Sequence, residues 1–214
     1  MTGTGRGHTY CRGRLKRGFD ILVVLAACPL LLPLLVILGL CVLLASGAPV
    51  LFIQERVGMD GHLFRLLKFR TMRPDAGLGL PITSRGDARV TPLGRLMRAT
   101  KLDELPQLIN VLLGDMSLVG PRPEVPRYVA AYTPEQRRVL VTRPGLTDPA
   151  TLLYRNEEDL LDALEEEKRE RYYVDHILPS KLRLNLDYLD RAGFWYDLAL
   201  LVRTVKVIVF PERA

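Results

Sequence analysis

The sequence predicts an α+β fold that is mainly helical: a small β-hairpin or sheet with surrounding helices, preceded by one long apolar helix. Three observations lead there. An uncharged apolar run spans Ile21 to Ala48, two strand-like runs flank Asp60-Gly61, and capped or periodic helical segments recur from Thr91 onward. The 214 residues suffice for one good-sized domain with an appendage. They divide into a basic leader (1–18), a membrane-embedded helix (19–48) and a main domain (49–214).

The leader comes first. Arg6, Arg12, Arg14, Lys16 and Arg17 precede any acidic residue, and the net charge of the chain is +6. That balance favours anionic partners such as phospholipid, nucleotide or nucleic acid. Charged residues make up 25% of the chain, which excludes a polytopic membrane protein. Cys11, Cys28 and Cys41 have neither metal-ligand nor CxxC spacing, so they read as small apolar side chains in a reducing compartment.

As one helix, Ile21 to Ala48 would be roughly 42 Å long at about 1.5 Å per residue, enough to cross a core of about 30 Å. Basic residues in front keep the N-terminus cytoplasmic. Three arrangements compete: a cleaved signal peptide, a bitopic anchor, and a re-entrant helix that leaves on the side it entered. The run is longer than a signal peptide needs. Pro29 and Pro33 each remove a backbone donor and bend a helix, while the Arg- and Lys-rich chain after Ala48 suits the cytoplasmic side.

Leu51 to Val57 and His62 to Phe69 alternate as strands, and Asp60-Gly61 between them favours a tight turn. Arg73 to Arg89, rich in Gly, Pro, Asp and Ser, reads as a loop. Thr91-Pro92 supplies a capping hydroxyl and a first-turn proline for a helix to Ala99. The next helix is expected from Asp103, with Leu105, Leu108, Ile109 and Leu112 on one face and Gly114 as its stop. Pro134 to Val141 is expected to be helical, Arg143-Pro144-Gly145 a turn, and Asn156 to Tyr173 one charged helix. Phe194 to Phe210 is an apolar helix bearing Arg203 and Lys206, suited to the core or to a lipid surface.

Two readings apply to Asp103-Glu104. Asp at an N-cap with Glu in the first turn stabilises any helix start through the free amides and the dipole. Alternatively, one carboxylate is a nucleophile and its neighbour holds a divalent metal; Mg²⁺ takes one or two carboxylates plus substrate phosphates. A helix N-terminus there would also hold phosphate. Arg122, rigid between Pro121 and Pro123, is either a surface arginine or a bidentate phosphate ligand. Lys68, Arg70, Arg95 and Arg98 are either solubilising charge or a pyrophosphate cleft. There is no Walker A sequence, no GxGxxG after a strand and no HExxH, and with only three histidines a histidine-based triad or zinc site is not expected.

Five stretches together resemble the bacterial sugar transferases, the monotopic phosphoglycosyl transferases. They are Lys16-Arg17-Gly18-Phe19-Asp20, Gln54-Glu55-Arg56-Val57-Gly58, Lys68-Phe69-Arg70-Thr71-Met72, the 23 residues from Lys101 to Pro123, and Arg143-Pro144-Gly145-Leu146-Thr147. The likeness is close from Lys16 to Thr147. It implies transfer of a phospho-sugar from a UDP-sugar to polyprenyl phosphate, with release of UMP and a covalent aspartyl intermediate. It further implies Asp103 as nucleophile and Glu104 as the ligand of Mg²⁺, or of Mn²⁺ in its place. Lys68, Arg98 and Arg122 would bind phosphates.

The same resemblance implies a re-entrant membrane helix broken at Cys28-Pro29, where the family has Ser-Pro. It places the main domain on the cytoplasmic face of a bacterial inner membrane, with membrane lipid and downstream glycosyltransferases as partners. The stretch Asp148 to Glu158 departs from the family pattern. A catalytically silent membrane scaffold is the alternative. Nucleic acid is not an expected partner, since no reader motif accompanies the basic charge.

Overall fold

The computed structural model describes residues 6–73, 84 and 86–210. Its order is α1 (Arg6–Arg12), α2 (Arg14–Ser46), β1 (Leu51–Val57), β2 (Leu63–Phe69), α3 (Pro92–Ala99), α4 (Gln107–Leu113) and β3 (Ser117–Val119). There follow α5 (Pro126–Ala130), β4 (Gly145–Thr147), α6 (Pro149–Leu153), α7 (Glu157–Asp162), α8 (Glu166–Tyr172), α9 (Leu178–Arg191) and α10 (Phe194–Val209). The expected mainly helical α+β class is what forms.

Helix α2 runs for 33 residues, without interruption, through Pro29 and Pro33, so the break expected at Cys28-Pro29 does not divide it into two helices. It is the one described helix long and apolar enough to cross a membrane; its most apolar stretch has mean hydropathy 3.0 and is only 11% buried. Cys28 is half-buried and Pro29 exposed in its middle. Buried charges tie down the start of α2. Lys16 pairs with Asp197 of α10, which also accepts from Tyr188 Oη at 2.8 Å and Tyr10 Oη at 3.1 Å. Asp20 accepts from Ser117 Oγ at 2.8 Å and Leu118 N at 3.2 Å. Lys16 and Asp197 are paired and Asp20 is hydrogen-bonded, the conditions under which buried charge is tolerated.

The far end of α2 returns to the same body. Leu38 and Val42 are buried with Phe69 and Met97. Arg70 Nη2 donates to the carbonyls of Ser46 and Gly47, both at 2.6 Å, a cation on the negative end of the helix.

Strands β1 and β2 form an antiparallel hairpin that pairs Phe52 with Lys68, Gln54 with Leu66 and Arg56 with Phe64. Asp60 and Gly61 both have positive φ, 55° and 82°, in the turn their dipeptide predicts. Thr91 caps α3 by accepting from Gly94 N at 2.9 Å, and Gly114 ends α4 at φ 98°. Of the expected loop, residues 74–83 and 85 lie outside the described residues. Its two ends meet where Arg73 N donates to Arg89 O at 2.9 Å.

Four expectations in the main domain need correction. The helix expected from Asp103 begins at Gln107; Asp103 and Glu104 lie in a preceding 3-10 turn, Leu102–Glu104. Pro106 has no N–H to enter an α-ladder, so the chain closes i→i+3 bonds first. The single charged helix expected from Asn156 to Tyr173 is two, α7 and α8, and its last residue begins a π-turn, Tyr173–Ile177. Gly145, expected in a turn, opens β4, which pairs in parallel with β3. A Cβ on Gly145 would lie 2.1 Å from Gly120 N, so the two segments approach only because both are glycine. The helix expected across Pro134 to Val141 is a 3-10 segment, Gln136–Val141.

Among the described residues the core has three parts. The largest joins α1 and the start of α2 to β2, α4, β3, α9 and α10, with Val111, Met116 and Tyr188 fully buried. A second lies among α5, α7 and α9 around Tyr128, Leu161 and Tyr173. The third holds the end of α2. The hairpin, the 3-10 turn and α4 meet between them.

Candidate active site

Two adjacent carboxylates are held under the hairpin. Lys101, at positive φ (57°), turns the chain into the short 3-10 turn, leaving Asp103 only 6% and Glu104 only 8% exposed. Acidic side chains are almost never this buried unless paired, and these two differ in how the fold treats them.

Glu104 is held by two cations. Arg122 grips it with both guanidinium nitrogens, Nη2 to Oε1 at 2.5 Å and Nη1 to Oε2 at 3.2 Å. Lys68 Nζ reaches Oε1 at 3.2 Å. Burial alone would push this carboxyl up, but Arg122 and Lys68 outweigh it and hold it well below the usual carboxylate range. Arg122 is raised in turn, by Glu104 against its own burial. Lys68 is lowered by burial, which Glu104 only partly offsets.

Asp103 is left open. Its Oδ1 is buried with no hydrogen-bond partner. Burial first, and then the neighbouring Glu104, raise its pKa, while Lys68, Lys101 and Arg98 pull it back. The outcome is a carboxylate more basic than usual, hence a better nucleophile once ionised, within reach of the field of three cations.

The structure therefore brings together Lys68, Asp103, Glu104 and Arg122. Arg98 stands one step out on α3, its Nε donating to Thr71 Oγ1 at 2.9 Å and its Nη1 3.3 Å from Glu158. Arg95 is exposed, and Arg70 serves the end of α2 rather than the carboxylates.

Three residues escaped the sequence reading. Arg56 donates to Gln54 Oε1 at 2.7 Å and to the Pro123 carbonyl at 3.0 Å, and pairs with Glu124 at 3.5 Å. Its signal was its register: Gln54, Arg56, Lys68 and Arg70 all lie on the face of the hairpin that also carries buried Phe64 and Leu66. Asp148 is fully buried and accepts from Arg122 N at 2.9 Å, Asn185 Nδ2 at 3.1 Å and Thr151 N. It caps α6 and fixes the Pro-Arg-Pro backbone at once, which its Asp-Pro spelling as a helix start foreshadows. That part of the divergent stretch thus braces the site.

The third is Gln107, 2% exposed in the first turn of α4, whose Nε2 has no partner. An unmet buried donor is unfavourable for folding and invites a functional explanation. Gln107→Leu is expected to keep or raise the melting temperature, because it removes that donor. Turnover should fall about 10²-fold if the amide serves a developing oxyanion. A lower melting temperature with unchanged turnover would make Gln107 purely structural.

Comparison with known proteins bears on what this arrangement does. The sequence model of the bacterial sugar transferases matches residues 11–211. A UDP-glucose:undecaprenyl-phosphate glucose-1-phosphate transferase of Caulobacter vibrioides is 36% identical over 203 residues, 93% of this chain and 71% of that one. An uncharacterized sugar transferase of Bacillus subtilis is 39% identical over 92% of this chain and 89% of its own length. A UDP-N-acetylgalactosamine-undecaprenyl-phosphate N-acetylgalactosaminephosphotransferase of Aeromonas hydrophila is 34% identical over 91% of this chain, which spans 44% of that relative.

Proposed function

The chain belongs to the bacterial sugar transferase family and is accordingly a sugar-phosphate transferase; from that premise we propose that it moves a sugar phosphate from a UDP-sugar to undecaprenyl phosphate. The observation that carries the mechanism is the asymmetry of the carboxylates, Glu104 paired with two cations and Asp103 buried with an unmet oxygen.

In this mechanism an Asp103 carboxylate oxygen attacks the sugar-side phosphorus. The O–P bond to Asp103 forms as the bond to the bridging oxygen breaks, and UMP leaves with that electron pair. A phosphate oxygen of the polyprenyl acceptor then attacks the same phosphorus and displaces Asp103. Splitting one displacement into two is what a carboxylate nucleophile achieves. Arg122 and Lys68 face the diphosphate with positive charge already in place. Arg98 adds to that field from α3.

Among the described residues no cluster of three or more Asp, Glu, His or Cys is placed to hold a metal. Mg²⁺ needs fewer, one or two carboxylates completed by substrate phosphates. Glu104 Oε2 accepts a single hydrogen bond and keeps a lone pair for such an ion. Glu104 thus fits as its protein ligand, with Mn²⁺ as the substitute. Bound there, the ion would offset charge on the phosphoryl oxygens.

The membrane arrangement belongs to the same proposal. Both ends of α2 dock on one body, at Asp20 and Val24 and again at Leu38 and Val42, while the stretch between is largely exposed. A helix crossing the bilayer once would carry its second end away. Two docked ends favour a re-entrant helix, with the catalytic body on the cytoplasmic face of the inner membrane, where it starts a glycan on a lipid carrier.

The experiment is UMP release from a panel of UDP-sugars, with and without undecaprenyl phosphate and Mg²⁺, since the relatives' names carry different sugars. Turnover with one sugar, abolished by chelation and restored by Mg²⁺ or Mn²⁺, is expected. Stoichiometric UMP release without acceptor would support the aspartyl intermediate. Undiminished turnover in chelator would remove the metal from the scheme, and silence of well-folded protein across the panel would favour a scaffold.

A further inference from the structure

A pocket opens beside Arg122, where the Pro-Arg-Pro turn meets α6 and α9. The space measures about 270 Å³ with its open mouth included, and the part behind the mouth has room for a substituent, not for a ring. Helix α6 contributes Thr151 to the lining. Helix α9 contributes Lys181 and Asn185, one turn apart.

Asn185 is the unusual member. It is 4% exposed, and its Oδ1 is buried with no hydrogen-bond partner. Its amide cannot turn over to relieve this. Nδ2 donates to Asp148 Oδ2 at 3.1 Å, and a carboxylate oxygen that already accepts from Arg122 N would repel an oxygen in that place. The lining therefore holds a fixed acceptor without a donor, and a buried polar group left unmet calls for an explanation. The charges around it are matched already. Arg122 grips Glu104, Lys181 pairs with Glu157, and Glu124 accepts from Tyr173 Oη and pairs with Arg56. Such a lining suits a neutral guest and gives no added hold on an anion.

We propose that this pocket receives a hydroxyl-bearing substituent of the donor's sugar and that Asn185 is a specificity-determining residue, a proposal that rests on the sugar-phosphate transfer put forward above. Asn185 Oδ1 accepts the O–H, and the Thr151 hydroxyl in the same lining completes the bonding of that oxygen. Arg122 joins the pocket to the reaction. It lines the pocket, grips the carboxylate next to Asp103, and has its backbone fixed by Asp148. The sugar stays on the phosphorus that Asp103 attacks, so it remains beside Arg122 through both steps. The uracil ring is the competing guest. Its N3–H lies between two carbonyls that would need donors on either side of Oδ1, and Asn185 Nδ2 is already committed to Asp148. A hydroxyl asks for one acceptor. Thr151 also lies in the stretch that departs from the family pattern, and the relatives' names carry different sugars, glucose and N-acetylgalactosamine among them.

The test compares kcat/KM, read as UMP release by the full chain, for the preferred UDP-sugar and for analogues lacking one sugar hydroxyl at a time. In the parent, one analogue should lose about 10- to 100-fold, because a site built to bond a hydroxyl rejects the guest without it. Asn185→Leu should bring that ratio close to one. Thr151→Val keeps the backbone bond to Asp148 and should lower the ratio severalfold; it decides alone if Asn185→Leu does not fold. Any loosening of Arg122 acts on all the sugars alike and cancels in the ratio. A parent indifferent to every deoxygenation, or a ratio unchanged in both variants, would overturn the proposal. So would weaker competitive inhibition by UMP in the variants with the ratio intact, which would place the nucleoside in the pocket. A parent that releases no UMP from any UDP-sugar fails the transfer reading itself, before any variant is made, and removes this proposal with it.

Discussion

Asp103→Asn is expected to lower turnover by at least about 10⁴-fold, the scale on which removal of a nucleophile acts, while leaving the fold intact. Both halves of that expectation follow from the site. Asparagine has the shape of aspartate, and Asp103 Oδ1 accepts no hydrogen bond that the substitution would break. The exchange also removes a buried negative charge beside Glu104, a neighbour that already raises the Asp103 pKa. The melting temperature should therefore hold or rise. In single turnover without acceptor, the parent should release UMP in a stoichiometric burst and the variant none. Full activity in Asp103→Asn would sink the nucleophile assignment. Loss of activity with loss of the folded state would contradict the reading of Asp103 as a residue that the fold tolerates rather than needs.

Arg122→Ala should show the opposite pattern, losing stability and activity together. Glu104 is 10% exposed in its side chain and Arg122 31%. Removing the guanidinium leaves Glu104 buried with Lys68 as its remaining cation. Breaking a buried pair from one side costs about 3–5 kcal/mol; because Arg122 keeps partial contact with solvent, about 3 kcal/mol is the fitting figure. Denaturant unfolding would measure it as a lower midpoint at unchanged slope. Arg122→Lys separates the two roles. A point charge restores much of the pairing with Glu104 but cannot reproduce the two-pronged grip, so stability should largely return while phosphate-dependent turnover stays low. Equal recovery of both would reduce Arg122 to a structural counter-ion.

The Glu104–Arg122 pairing also explains how far the sequence could be read. Adjacent carboxylates and a proline-bracketed arginine were visible as candidates, and resemblance supplied their roles. That they contact each other was not visible, because 18 residues separate them and β3 intervenes. Lys68 came from strand alternation, which places alternate residues on one face regardless of what packs there. Arg56 lies on the same face, in a stretch that carries the resemblance, but has no role legible in sequence, since its partners, the Pro123 carbonyl and Glu124, come from a distant segment. Asp148 sits in the stretch that departs from the family pattern, and only its three hydrogen bonds reveal that it braces Arg122.

Local signals behaved likewise. The Thr91-Pro92 cap, the Asp60-Gly61 turn, the Gly114 stop and the apolar terminal helix all formed where expected, because each rests on steric or hydrogen-bonding demands met within a few residues. The helix expected to begin at Asp103 moved to Gln107 because the pattern of leucines carries no information about the N–H that Pro106 lacks. The parallel pairing of β3 with β4 had no local signature at all; it depends on Gly120 and Gly145 meeting across 25 residues.

By itself, then, the sequence determined the class of fold, the apolar helix, the hairpin and the chemical types available to the site, since composition, periodicity and turn chemistry act over short range. Only the tertiary structure decided which carboxylate is paired with cations and which keeps an unmet oxygen. Burial and the approach of Arg122 and Lys68 make that distinction, and desolvation and Coulomb energy depend on distance in space, not on separation along the chain.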